Sequence, residues 1–503
     1  MDACECTTGA KTYFATRPLY HSFRPEFITD FRNNKMVASE DGIGGAFEAV
    51  IFGGRSTNRG ELASYFLPGC SNTLRVRENP VAGDNTDLEA TNFGIFTNAG
   101  TAGTGGFDSI ISFGARQSAV GLGLHYMQGF AFDCDKTKWW YVDLSMPITH
   151  VRNDFVVSET VQNDGGGVRD NATTSSCHPA NMKAAFDQNC WCYGKISCDA
   201  QKKTGVADIE LKLGRQWHYG ETCSFASYLG VLIPTSNKPK GHYVFEPIIG
   251  HGGSAGLMWG GLVDYNMWNS CNDNWHLNWD LTWNSQYLFQ TKQVRSFDLK
   301  NKPFSRYLAL YADEAQAQEA ANMCASLDAV TQLQGENLFT PGINILTRKV
   351  KVTPGFDFNV TTAFNLRSDC GFFSELGFNF YARRAECVKL DCWTDGPAIR
   401  GATGCGTTNS FVTIGNNSLV DCADQDFSAT EYANRRLTRS DLDLSSAAHP
   451  AVLIYMVHGA LGYEFNKECR IPMHLNFGAA YEFGDQVSVM KRWTLWGKYG
   501  IAF

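Results

Sequence analysis

The stretch that decides the fold is the last one, Trp493–Phe503, which reads WTLWGKYGIAF. Its odd-numbered positions are aromatic or aliphatic apart from one glycine, whereas its even-numbered positions are mostly small or polar and include Lys498. Successive side chains of a β-strand point to opposite faces, so one face is apolar to the last residue. Edges of soluble sheets are normally blunted by charge or proline. The pattern therefore predicts a strand that faces lipid on one side.

Similar alternation recurs along the chain, most clearly in 275–290, where apolar odd positions alternate with polar even ones. Within 107–130 the apolar phase changes parity near Arg116, which predicts two strands joined by a tight turn. The pattern also predicts strands at 140–148, 207–213, 356–366 and 471–483, with weaker candidates at 44–54, 223–234, 242–251, 255–268, 341–353, 371–385 and 449–465. The total is about fifteen strands. Because single-chain bacterial barrels have even strand numbers, we expect 14 to 16 strands, with 16 favoured.

Composition excludes several classes of protein. No window holds the roughly 18 consecutive apolar residues that a membrane-spanning helix needs. A net charge of -8 and the lack of a basic run argue against a nucleic-acid surface. The 34 Phe, 19 Tyr, 12 Trp and 49 Gly fit aromatic girdles and close-packed barrel walls, although a large soluble all-β protein can share this composition.

The strand that ends in Phe503 resembles the C-terminal signature of bacterial outer-membrane β-barrels, which end in Phe after alternating apolar residues. The resemblance implies an all-β fold, a transmembrane antiparallel β-barrel formed by 1–503 as a single domain in the bacterial outer membrane. It also implies that Phe503 lies at the periplasmic end, that lipid surrounds the chain and that it assembles as a homotrimer. The start, Met1–Cys6, lacks the features of a signal peptide, so we expect the numbered chain to be the mature form.

Long insertions interrupt the predicted strands, at 55–106, 152–204, 294–340 and 386–448. Counting back from Phe503 places 152–204 and 386–448 on the extracellular side and 294–340 on the periplasmic side. The run of helix formers at 314–324 predicts one short helix.

Seventeen cysteines indicate an oxidising compartment and predict long disulfide-bearing loops. Eight of them lie in two of the insertions: Cys177, Cys190, Cys192, Cys198, Cys387, Cys392, Cys405 and Cys422. Their spacing matches a structural zinc site poorly, so we predict no metal. The loop cysteines also resemble those of the Cys-rich major outer-membrane porins of intracellular bacteria.

The candidate functional residues are charged or imidazole side chains on the predicted inner faces. In a water-filled pore, charged side chains on the wall set the preference for cations or anions. Alternatively, the inner face is polar simply because it contacts water, and its charged side chains pair with their neighbours. The predicted pore-lining residues are Asp208, Glu210, Lys212, His276, Asp280, Glu375, Arg383, His474, Glu482, Arg492 and Lys498.

No motif of a hydrolase or metalloprotease occurs, and the Gly-rich stretch 100–106 lacks the ending of a phosphate loop, so we predict neither an enzyme nor a cofactor. The expected function is that of an outer-membrane porin, with a water-filled pore for passive diffusion of small hydrophilic solutes and ions. Two alternatives stay open: a substrate-specific channel, for example a carrier of hydrophobic compounds with 314–324 as part of a plug, and a disulfide-linked structural or adhesive envelope protein.

Overall fold

A closed sheet of antiparallel strands is the centre of the fold. The computed structural model describes residues 10–21, 44–78, 87–95, 97, 106–135, 137–166, 179–197, 199–219, 222–272, 274–316, 339–393, 397–398, 436–465 and 471–503. The strands of the closed sheet are β1 (Gly44–Ser56), β2 (Phe107–Phe130), β3 (Lys138–Asp164), β4 (Ile209–Tyr219), β5 (Cys223–Ile233), β6 (Gly256–Asn269), β7 (Trp275–Leu288), β8 (Gly355–Ser368), β9 (Phe372–Arg383), β10 (Val452–Phe465), β11 (Met473–Phe483) and β12 (Arg492–Ala502).

Each of these strands pairs with the next one along the chain, and β12 pairs with β1. The closing register sets Ala46 opposite Ala502, while Gly44 on the other side of β1 lies opposite Gly129. All neighbours are antiparallel, so the described residues form an up-and-down barrel of twelve strands. Closure leaves no free strand edge, so the backbone groups of the apolar last strand are paired on both sides.

The prediction of 14 to 16 strands was wrong, and three segments account for the difference. Residues 107–130 form one strand, 242–251 form no strand, and in 341–353 only Pro341 and 347–353 are extended, in two small sheets outside the barrel. Short apolar runs in loops and barrel strands look alike in sequence.

The change of parity in β2 marks a change of surroundings along one strand. Its odd-numbered side chains face inward along its length. Between Ala119 and Phe130 the outward side chains, such as Val120 and Leu122, are exposed and apolar. Between Phe107 and Arg116 it is instead the inward side chains that are mostly apolar. Arg116 marks the change on the outer face, where it pairs with Asp154 of β3 at 2.7 Å. The strand continues past the membrane and packs there against an apolar core, so no turn is needed.

The two ends of the barrel differ in the length of their connections. At the turn end, where Phe503 lies, the connections are 131–137, 220–222, 270–274, 369–371 and 466–472. At the opposite, loop end they are 57–106, 165–208, 234–255, 289–354, 384–451 and 484–491. The segment 294–340 was predicted at the same end as Phe503, but it belongs to the loop-end connection 289–354, because counting 341–353 as a barrel strand reversed the parity. The predicted insertion 152–204 begins inside β3, which runs on to Asp164.

Short elements build a cap over the loop end. Among the described residues, the cap includes α1 (Arg59–Ser64), α2 (Met182–Ala185) and α3 (Gly342–Ile345), with 3-10 turns at Pro68–Cys70, Ala90–Phe93, Ser305–Tyr307 and Arg439–Asp441. A further 3-10 turn, Leu19–His21, lies inside the barrel. Thr291–Ser296, Thr347–Thr353 and Cys387–Leu390 form a three-stranded sheet, Asp298–Leu299 pairs with Leu442–Asp443, and Ala309–Tyr311 pairs with Phe339–Pro341. Thr73–Arg77 with Leu88–Glu89 extends the sheet at β2, and Gln201–Val206 extends it at β3.

The cap has its own apolar core, in which aromatic rings predominate. Phe186 is fully buried, and its ring centroid lies 5.5 Å from that of Phe93 and 5.7 Å from that of Phe113 on β2. Of the predicted helix 314–324, residues 314–316 are helical and 317–324 lie outside the described residues. Within the described ranges, no helix is both long enough and apolar enough to cross a membrane.

Candidate functional site: the barrel lumen

The outer face of the barrel is apolar and exposed. Ile51, Leu229, Leu376 and Phe477 expose 70%, 66%, 69% and 63% of their surface. Exposed aromatic residues surround the turn end: Tyr219, Tyr265, Trp268, Trp275, Phe372, Tyr463, Phe465, Tyr499 and Phe503. An apolar band with an aromatic girdle is the outer surface of a barrel that spans the outer membrane of bacteria. The chain is a bacterial outer-membrane β-barrel.

The inner face carries most of the predicted pore-lining residues. Eight of them occupy inward, buried positions of barrel strands: Glu210, Lys212, Asp280, Glu375, His474, Glu482, Arg492 and Lys498. Asp208 and Arg383 lie at the loop-end rim, at the start of β4 and the end of β9. His276 is different, because it lies at the turn end and contacts Asn269 at 2.9 Å and Asp369 at 3.3 Å. Their roles in conduction stay a prediction.

A chain of ionisable side chains follows the inner wall across neighbouring strands. Lys212 Nζ on β4 lies 3.2 Å from Glu210 Oε2 and 3.8 Å from Asp143 Oδ1 on β3. Asp143 Oδ2 is 2.9 Å from His125 Nε2 on β2, and His125 Nδ1 is 3.4 Å from Glu48 Oε2 on β1. Acidic side chains alternate with basic or imidazole side chains along this chain, so each buried carboxylate has a polar partner.

The same chain crosses β12 at a glycine. His474 Nε2 on β11 lies 3.9 Å from Glu48 Oε1 on β1, although β12 runs between these strands. A Cβ at Gly500 of β12 would lie 2.0 Å from His474 Cε1. Glycine at this position is therefore what allows the imidazole to lie across the strand.

Sequence reasoning missed several ionisable residues of the lumen. On the wall these are Glu48, His125, Asp143, Asp357 and His458, and a further one, Arg17, belongs to the N-terminal residues 10–21. Glu48, His125 and Asp143 occupy the inward phase of β1, β2 and β3. Asp143 was visible as the polar partner in the alternation of 140–148. His125 was obscured because 107–130 was divided into two strands.

An N-terminal segment enters the barrel from the loop end. Arg17 is buried in the lumen, where its Nη1 donates to Glu482 Oε1 of β11 at 2.8 Å. Its Nη2 donates to Asn359 Oδ1 of β8 at 2.9 Å and to Asn379 Oδ1 of β9 at 3.1 Å. One side chain thus connects the segment to several strands of the wall. Glu482 also accepts a hydrogen bond from Arg492 of β12.

Further along the segment, Tyr20 packs against the opposite wall. Its ring centroid lies 5.7 Å from that of Phe52 on β1, and its hydroxyl accepts a hydrogen bond from Ser145 of β3 at 3.3 Å. A Cβ at Gly123 of β2 would lie 2.0 Å from Tyr20 Cε2. The wall therefore has a space that the tyrosine ring fills.

The other end of the segment is fixed in the cap. The Thr12 amide donates to the Ser446 carbonyl oxygen at 2.9 Å, and the Thr12 hydroxyl donates to the Ser296 carbonyl oxygen at 2.7 Å. The Tyr13 ring lies 3.0 Å from the Arg295 guanidinium carbon. Burial raises the pKa of Tyr13 to about 12, against the opposing effect of Arg295, so this phenol is neutral.

At the loop-end rim, Asp208 and His251 form an ion pair. His251 Nδ1 lies 2.8 Å from Asp208 Oδ2. Burial lowers the pKa of His251, but the hydrogen bond and charge of Asp208 outweigh it and leave the pKa raised. Burial likewise raises the pKa of Asp208, and His251 reverses this, so that its pKa is lowered. Both shifts favour the charged pair.

Carboxylates outnumber basic groups on the described inner wall. The carboxylates are Glu48, Asp143, Glu210, Asp264, Asp280, Asp357, Glu375 and Glu482, and the basic groups include Lys212, Arg492 and Lys498. An excess of carboxylates is the arrangement expected of a wall that favours cations over anions, and this selectivity stays a prediction.

The predicted disulfide-bearing loops can be compared with the structure only in part, because Cys177, Cys198, Cys405 and Cys422 lie outside the described residues. Within the described part of the chain, free thiols are found at Cys134, Cys192, Cys223, Cys271, Cys370, Cys387 and Cys392. Cys190 is disulfide-bonded, but not to any of these seven. Cys192, Cys387 and Cys392 are exposed, and no loop-to-loop pairing between them holds the cap together. The same described residues contain no cluster of metal-ligating side chains.

No family model matches the chain, and no curated protein matches it. Among solved structures, an outer membrane channel from Pseudomonas putida F1 is 7% identical, with 91% of this chain and 96% of that chain covered and a TM-score of 0.36. A mutant of the monoaromatic hydrocarbon channel TodX is 7% identical, with 99% and 98% covered and a TM-score of 0.32. The transport unit of the autotransporter AIDA-I from Escherichia coli is 7% identical, with 95% and 98% covered and a TM-score of 0.32. At these TM-scores, nothing about the solutes of those proteins is transferred to this chain.

Proposed function

We propose that the protein is a substrate-specific outer-membrane channel for small hydrophilic solutes, closed at rest by its N-terminal segment 10–21. The observation that carries this proposal is Arg17, whose buried side chain is bonded to Glu482, Asn359 and Asn379 of the wall. A segment held in this way occupies the space that a solute would need. Opening requires that the segment move.

Two features favour this function over a porin that is always open. The inward polar side chains of the barrel strands are mostly buried, whereas the wall of a water-filled pore would be exposed. In addition, barrels of about 16 to 18 strands leave an aqueous channel, while those of about eight are filled by side chains. Twelve strands give an intermediate width that one chain segment can block.

The chemistry of the wall favours hydrophilic solutes. Its inward positions hold carboxylates, imidazoles and amides, such as Asp143, His125 and Asn284. An apolar compound would displace water from these groups without forming hydrogen bonds to them, which is unfavourable. A homotrimer and a structural role based on disulfides stay predictions and are not part of the proposal.

The proposal can be tested by forcing the segment away from the wall. In Gly123→Ala the new methyl group collides with the Tyr20 ring, so the segment can no longer pack against the wall as it does in wild type. Overpacking costs about 1–3 kcal/mol, and a cost of about 1.4 kcal/mol, near the lower end of this range, raises the open population about tenfold. We expect liposomes containing this variant to take up a small sugar or amino acid about tenfold faster than wild type in a swelling assay.

Gly459→Ala is the matched control, because a Cβ at Gly459 comes no closer than 3.4 Å to any other atom. It should swell at the wild-type rate. Rapid swelling of wild-type liposomes, equal to that of Gly123→Ala, would show that the segment does not close the barrel.

A further inference from the structure

We infer that the wall around Arg17 is a binding site for a solute that carries a guanidinium or a similar planar cation. The inference rests on the proposed function, because the site becomes available only when the segment leaves. In the closed state Arg17 itself occupies the site and stands in for the solute.

The site has the chemistry that a guanidinium requires. A carboxylate oxygen of Glu482 and the amide oxygens of Asn359 and Asn379 accept its hydrogen bonds at 2.8, 2.9 and 3.1 Å. The ring of Tyr381 on β9 lies 4.5 Å from the guanidinium carbon and provides a cation–π contact. Charge, donor geometry and an aromatic face together select a planar cation over a spherical one.

The wall holds its acceptors in position without help from the segment. Asn379 Nδ2 donates to Asn359 Oδ1 at 2.7 Å and to Thr361 Oγ1 at 2.6 Å, which orients both amides. Arg492 of β12 holds the other oxygen of Glu482. Because these contacts are made between barrel strands, they persist when Arg17 moves away.

The energetics explain why a solute would fill the vacated site. Withdrawal of Arg17 leaves a carboxylate and amide oxygens in a buried place, which is costly unless a cation or water replaces it. The excess of carboxylates along the wall draws cations toward this point. A cation of the right shape thus competes with Arg17 and favours the open state.

The test removes the internal ligand and supplies a soluble one. In Arg17→Ala, guanidinium chloride at about 10 mM should enter the vacated site and reduce the single-channel current in planar bilayers. Urea has the same planar shape without the charge, and sodium has the charge without the planar donors. We expect guanidinium to act at concentrations at least about tenfold lower than urea, with sodium as the carrier salt. Equal effects of guanidinium and urea would overturn the inference.

A second readout does not depend on conduction. Guanidinium at the same low concentration should raise the temperature at which folded Arg17→Ala loses its anomalous migration in gels, and urea should not. If Arg17→Ala does not fold, Arg17→Gln, which removes the charge and keeps a side chain, takes its place. No protection by guanidinium in either variant would contradict the site.

The control is Lys292→Ala in the cap, outside the segment, whose exposed ammonium lies 3.8 Å from Asp391. It keeps Arg17 in place and should show neither block nor protection by guanidinium. The two proposals fail separately. A variant at Arg17 that conducts but ignores guanidinium refutes the cation site alone. A variant at Arg17 that is protected by guanidinium but conducts no better than wild type refutes only the proposal that the segment closes the barrel.

Discussion

At the scale of residues, several buried carboxylates of the inner wall face basic or imidazole side chains, and glycines make room for the side chains that bridge strands. His474 reaches Glu48 only because Gly500 lies between them, and Tyr20 fits only because of Gly123. The wall charges were foreseeable as a class, since polar residues alternate with apolar ones in the sequence. Their partners were not, because a pair such as His125 and Asp143 depends on the register between strands.

The pair Asp208–His251 predicts how the stability of the loop-end rim depends on pH. The raised pKa of His251 gives a stabilisation that is complete below its unfolded value of 6.5 and is lost as pH rises through the folded value. The lowered pKa of Asp208 gives a stabilisation that is complete above 3.8 and is lost as pH falls through the folded value. The two contributions are therefore both complete between 3.8 and 6.5.

Thermal unfolding in detergent at about pH 5.5 and about pH 8.5 tests this window. We expect a lower midpoint at the higher pH in wild type, and a smaller difference in His251→Gln. The same difference in both proteins would show that another group is responsible.

At the scale of elements, β2 and β3 show what a single sequence can and cannot reveal. The alternation predicted that most of 107–130 and the residues 140–148 are extended, which the structure confirms. It wrongly placed a turn near Arg116 and the start of an insertion at residue 152, both of which lie inside continuous strands. It did not reveal that both strands continue past the membrane, because their inward side chains turn apolar there to cover the cap core. The cap itself was treated as a set of insertions, since its short strands lack a clear period.

Because the cap has its own core, it should be possible to weaken it without unfolding the barrel. Phe186→Ala removes a fully buried ring that packs on Phe93 and Phe113, at a cost of about 3–5 kcal/mol. We expect limited proteolysis to cut the loop-end connections faster in this variant, while the folded barrel keeps its anomalous migration in unheated gels.

Phe477→Ala is the comparison, because Phe477 is exposed on the outer face and far from the cap. It should leave the rate of proteolysis unchanged. If Phe186→Ala also abolished the heat-dependent migration, the cap and the barrel would have to form one cooperative unit.

At the scale of the whole molecule, the chain combines a lipid-facing barrel with a lumen that its own N-terminal segment enters. The last strand predicted the location correctly, and Trp493, Leu495, Tyr499 and Phe503 do face outward. The closure could not be predicted, because residues 10–21 carry no alternation and no motif. Their role depends on long-range contacts, such as the one between Arg17 and Glu482.

Single-channel recording in planar bilayers tests the central claim most directly. We predict that the wild-type protein gives little steady current, with brief openings, and that Arg17→Ala increases the fraction of time open by about tenfold, as expected from the loss of a buried charge-assisted hydrogen bond. A steady, large and weakly selective current from the wild-type protein would contradict the closed channel and restore the open porin.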